Sequence, residues 1–98
     1  MEQTPEIPAN PMTLDQIRGL LLQKVEMAET EADLAEYQER LTGIQTAVSE
    51  MFTRDLLEQS ETWHTLKGSS LPEDAPRLPE HIEVKVALVI TNLLQRNF

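Results

Sequence analysis

Glu61 and His64 stand three residues apart, the spacing that sets a carboxylate and an imidazole on one helical face as ligands for a shared metal ion. A complete carboxylate-bridged site of that kind needs two such steps and two further carboxylates. This chain has one step, so only two copies meeting across a symmetry axis could assemble the set, with Glu31, Asp33 or Glu36 as the additional acids. A lone Glu-x-x-His step is a frequent coincidence, and Thr65 to Ser70 after it has the composition of a helix end. The expectation is no metal and no cofactor.

Other chemistries lack their minimum parts. With no cysteine there is no thiolate nucleophile, disulfide or Cys-containing zinc site. No serine sits in a Gly-x-Ser-x-Gly turn, three glycines in all make no phosphate-cradling loop, and His-Glu-x-x-His is absent. His81 follows Pro79 where a helix would begin, and its expected place is solvent. The sequence therefore points away from an enzyme.

The sharpest charge feature is acidic. Glu26, Glu29, Asp33 and Glu36 fall at steps of three and four, thickened by Glu31 and Glu39, with no Lys or Arg between Lys24 and Arg40. Like charges at these spacings repel by a few tenths of a kcal/mol each, a cost that a basic partner relieves and that a solvated outer face tolerates. Over the whole chain, 8 Lys and Arg stand against 17 Asp and Glu, a formal charge of -9. That balance opposes direct binding to nucleic acid or to an anionic membrane and suits a protein partner with a basic surface. Glu29, Asp33, Glu36 and Tyr37 are the candidate partner-binding residues of this region. Trp63, the single Trp, is the fifth, with two readings: an interface anchor, or a core plug at the end of the bundle. Met12, Met27, Met51 and Phe52 could add an adaptable binding groove, although Met at helical spacing usually fills a core.

Helices are needed to position these groups. Thr13 and Gln16 match a capping box, which starts the first helix after Pro11. Leu14, Ile17, Leu21, Val25 and Ala28 then form one apolar stripe, widened by Leu20 and Leu22. Gly19 weakens that helix, and the reading given to it is a close approach by another helix. A break is expected near Thr30. Beyond it Leu34, Tyr37, Leu41, Ile44, Val48 and Met51 alternate by threes and fours, the most regular pattern in the chain; Leu56 and Leu57 carry it onward, and the helix is expected to end between Phe52 and Gly68, a C-terminal stop signal. Residues 68–79, with Pro72, Pro76 and Pro79, read as a loop. From Ile82 the apolar residues fit both a strand period and a helical stripe. Helix is preferred, because no second strand exists to pair with and Pro79 and Glu80 suit a first turn.

The fold expected is all-α: a small helical hairpin or three-helix bundle with a long central amphipathic helix, occupying 13–98 as one domain. The alternative keeps the helices and pairs a C-terminal strand across a dimer. Residues 1–12, with Pro5, Pro8 and Pro11, read as a flexible N-terminal arm, with recognition by a Pro-binding module as a secondary role. No basic-then-apolar leader opens the sequence, and its apolar runs fall far short of the roughly 20 residues of a membrane span, so a soluble cytoplasmic protein is expected.

Three apolar stripes on so short a chain exceed what one small core hides. The functional expectation is a non-enzymatic helical interaction module, a regulator, inhibitor or assembly chaperone, offering a face of the 34–57 helix or of the last helix to a partner protein or a second copy. The other class considered is an acidic mimic of nucleic acid that blocks the basic channel of a DNA- or RNA-handling protein.

Overall fold

The computed structural model describes residues 11–98, and among these the protein is all-helical. The helices are α1 (Leu14–Met27), α2 (Glu31–Met51), α3 (Arg54–Glu58), α4 (Glu61–Leu66) and α5 (Glu80–Asn97). The expected N-terminal arm falls mostly on residues 1–10, which lie outside the described residues. Its last member, Met12, packs against the core, and its backbone N–H donates to Thr91 Oγ1 at 2.8 Å.

Hydroxyl side chains set four of the five starts. Thr13 forms the capping box with Gln16: its hydroxyl accepts from the Gln16 N–H, and the Gln16 side-chain Oε1 accepts from the Thr13 N–H. Thr30 caps α2, confirming the break there, while the Asp33 carboxylate accepts the Glu29 N–H. Thr53 caps α3 and Ser60 caps α4, each accepting from the N–H three residues on. These last two caps split the single long helix anticipated beyond Phe52 into three. Apolar spacing alone favoured continuation at Leu56 and Leu57, but the two hydroxyls offer the backbone competing bonds and the chain turns at each.

The stop signal at Gly68 is present just past the C-cap Lys67 of α4. Gly68 has φ of 85°, its N–H bonds to Thr65 O, and the Ser69 N–H bonds to His64 O, the two bonds of a Schellman motif. The loop then leads to Pro79 and α5. The final segment is a helix, so the strand-paired dimer is set aside: Val86, Ala87, Ile90, Thr91 and Leu94 are buried, a stripe of period 3.6.

The core gathers Ile17, Ile44, Val48, Leu57, Trp63, Leu66, Val86, Ile90 and Leu94. α4 lies at its middle with four of its six residues buried, packed against α1, α3 and α5. Gly19 is a correction: it is exposed, and a Cβ there would meet nothing within 4 Å, so no helix comes close.

Candidate functional site

The apolar stripes of α1 and α2 are each fully buried over only part of their length. Along α1, Ile17 is fully buried and Leu21 half-buried, while Val25 is 42% exposed and Leu22 beside it 59%. Along α2, Ile44 and Val48 are buried, and Leu41, Tyr37 and Leu34 are only half-buried. Met51, expected to finish that stripe, is 60% exposed because the helix ends there and the chain turns away. Toward the short connection 28–30 the α1 stripe becomes exposed and the α2 stripe half-buried, so the tip of the α1/α2 hairpin is less covered than its middle.

Two clefts flank Tyr37 at this tip. On one side Lys24, Met27, Ala28, Asp33, Glu36 and Arg40 enclose a polar cleft closed by Phe98. Phe98 stacks on Tyr37 with ring centroids 5.7 Å apart, and the Lys24 ammonium lies 5.7 Å from the Phe98 centroid. Arg40 bonds the Glu36 carboxylate at 2.8 Å and the Asn97 carbonyl at 2.9 Å, fastening α2 to the end of α5. Burial raises the Tyr37 phenol above its ordinary pKa. On the other side, Leu21, Leu22, Val25, Tyr37 and Leu41 line an apolar cleft floored by Leu66. Its volume, about 200 Å³, is below the 300–1,000 Å³ usual for small-molecule pockets. A wider groove runs between Met12, Gln16 and Leu20 on one wall and Leu94, Gln95 and Phe98 on the other. Of its polar groups, the Gln16 amide oxygen is already spent on the capping box.

The structure thus brings together four of the five anticipated partner-binding residues. Glu29, Asp33 and Glu36 are exposed around the hairpin tip and Tyr37 divides its clefts, although Asp33 and Glu36 also bond their own chain. Trp63 is placed elsewhere. It is 8% exposed within the core, so of its two readings the plug matches its position. The face expected of the last helix is likewise turned inward.

Glu61 and His64 do share one face of α4, but each is otherwise engaged. Glu61 pairs with Arg77, which also bonds the Pro72 carbonyl. His64 Nε2–H donates to the Glu58 carbonyl at 2.9 Å. Among the described residues no three metal-capable side chains converge.

Sequence reasoning missed Glu83. Its carboxylate reaches from α5 to the start of α4, accepting from Ser60 Oγ at 2.7 Å, the Glu61 N–H at 3.0 Å and the Thr62 N–H at 3.2 Å. Nothing in the local pattern marks it, since the contact spans more than 20 residues. Phe98 was missed too, although it continues the α5 stripe four residues after Leu94.

Comparison of the chain with protein-family models, with curated proteins and with solved structures gives no match.

Proposed function

We propose that this protein is a non-enzymatic interaction module that binds a partner protein through the tip of its α1/α2 hairpin. The observation that carries the reading is the exposure of Leu22 and Val25 beside a half-buried Tyr37 and Leu41. Burying an exposed Leu or Val contributes about 1.5–3 kcal/mol, so leaving them in water is a standing cost that a bound surface removes. A regulator, inhibitor or assembly factor is the class of protein that acts in this way, by covering or presenting a surface without chemistry of its own.

The test replaces Leu22 and Val25 with Gln, a good helix former. Folding should be unchanged by circular dichroism, since neither residue is in the core. Proteins captured by the parent chain should be lost by the double variant, and an identical set retained by both would overturn the reading.

A second reading is mimicry of nucleic acid. What favours it is that Glu26, Glu29, Glu31, Asp33, Glu36 and Glu39 are all exposed on the same hairpin. It is tested by reversing Glu26, Glu29 and Glu39 to Lys, none of whose side chains bonds another described residue, and separated from the first reading by the Leu22→Gln/Val25→Gln variant. Mimicry predicts loss of binding in that variant and indifference to Leu22→Gln/Val25→Gln.

A further inference from the structure

We propose that the open cleft between α1 and α2 receives a basic amphipathic helix, an inference that rests on the hairpin tip being the binding face. Three observations select this occupant.

The first is shape. Two helices border the cleft, and no strand edge exists among the described residues for an extended peptide to join. Side chains at steps of three and four on α1 and α2 form ridges that receive those of a third helix, with Leu66 as the floor.

The second is charge. From Lys24 to Arg40 the chain carries six carboxylates against those two cations. The cations are occupied internally: Arg40 by Glu36 and the Asn97 carbonyl, and Lys24 by the Phe98 ring. Lys67, at the cleft floor, lies over Trp63 with 5.3 Å to the ring centroid. The acids Glu26, Glu29, Glu31 and Glu39 are exposed, and none has a side-chain partner among the described residues. A partner bearing Lys or Arg beside its apolar stripe meets the complementary potential of the acidic hairpin that carries the cleft.

The third concerns the competing occupant. A second copy docking by the same face would bring each acidic hairpin against its own image, in a chain whose formal charge is already -9. Self-association here is opposed by the same charges that attract a basic helix.

The probe is a fluorescent Leu/Lys peptide of about 18 residues, five helical turns, with Leu at i, i+3, i+4 and i+7. Its controls are a scrambled peptide of identical composition and a Leu/Glu version of the same pattern. In anisotropy titrations near 0.15 M salt, the patterned basic peptide should bind about tenfold more tightly than either control, with amide shifts concentrated in residues 21–41. Leu22→Gln/Val25→Gln should weaken it about tenfold, and Glu26→Lys/Glu29→Lys should weaken it several-fold while flattening its salt dependence. Equal binding of patterned and scrambled peptides, or shifts elsewhere on the protein, would overturn the inference. Sedimentation separates the two levels. A dimer dissolved by Leu22→Gln/Val25→Gln would leave the binding face standing and replace the basic helix by a second copy. No peptide binding, no self-association and an unchanged capture set would bring both down.

Discussion

Replacing Glu83 by Ala should destabilise the protein severely, although Glu83 lies in no cleft and carries no chemistry. Its carboxylate is the acceptor for Ser60 Oγ–H and for the first two N–H groups of α4. Ser60 is 0% exposed and Thr62 3%, so water cannot readily replace the lost acceptor at either. Each buried donor left unpaired costs about 1–3 kcal/mol, and hydrogen bonds to a charged group are worth about 1.5–3 kcal/mol. Taking the two buried donors as unpaired and the Glu61 N–H as rehydrated gives a loss of about 3–6 kcal/mol for Glu83→Ala. That is a large share of the roughly 5–15 kcal/mol that holds a domain together. Glu83→Gln keeps one acceptor oxygen and should lose about 1–2 kcal/mol. Urea unfolding read by the fluorescence of Trp63, three residues from Ser60, measures both. A cycle with Ser60→Ala should give a coupling of about 1–2 kcal/mol. If Glu83→Ala falls within about 0.5 kcal/mol of the parent, where inert surface changes lie, the carboxylate is not holding α4 and the reasoning fails.

Gly19→Ala and Gly43→Ala should each stabilise by about 0.5–1 kcal/mol, because both glycines are exposed within helices and an added Cβ meets nothing within 4 Å. Thermal melts should rise by about 2–8 °C for each, and no rise would show that these helices are held by something other than propensity. The Tyr37 phenol should ionise above its ordinary 10.0, which absorbance near 295 nm reads without ambiguity because the chain has one Tyr. A raised folded-state pKa means the fold favours the neutral phenol. Its share of stability is therefore complete below the unfolded value and is lost as pH rises through the folded one, so Tyr37→Phe should flatten the alkaline limb of the stability profile. Trp63→Ala should cost about 3–5 kcal/mol and Trp63→Phe less, measured by denaturant midpoint; a small loss from both would argue against its place in the core.

The features legible in the sequence are those that depend on near neighbours. Thr13 with Gln16, Thr30 before Asp33 and Gly68 after α4 are bonds between residues three to five apart, and their spacing is visible in one dimension. The final segment is ambiguous in sequence because Ile82, Val86 and Ile90 satisfy two periods at once, and the lack of a second strand, with Pro79 and Glu80 suited to a first turn, decides it. Apolar spacing failed at Thr53 and Ser60, where a hydroxyl capping a new helix outweighs a Leu that could continue the old one. The acidic and aromatic residues of the hairpin tip were identified, but not the apolar pair Leu22 and Val25 as its exposed part. Periodicity tells which residues share a face; whether another helix covers that face depends on lengths and turns elsewhere. Glu83 was out of reach for the same reason.

α4 has six residues, far fewer than the roughly 12–15 that an isolated helix needs in water. It exists because Glu83 and Ser60 hold its start, Gly68 closes its end, and α1, α3 and α5 surround it. A segment that cannot form first, yet touches three other elements, makes its neighbours mutually dependent: each loses its contact surface if any other departs. The amides of Trp63 to Leu66 should therefore exchange with solvent only when the whole chain opens, while those at the start of α2 exchange by local fraying. A graded response, with α4 exchanging before α5, would mean that the molecule comes apart in pieces.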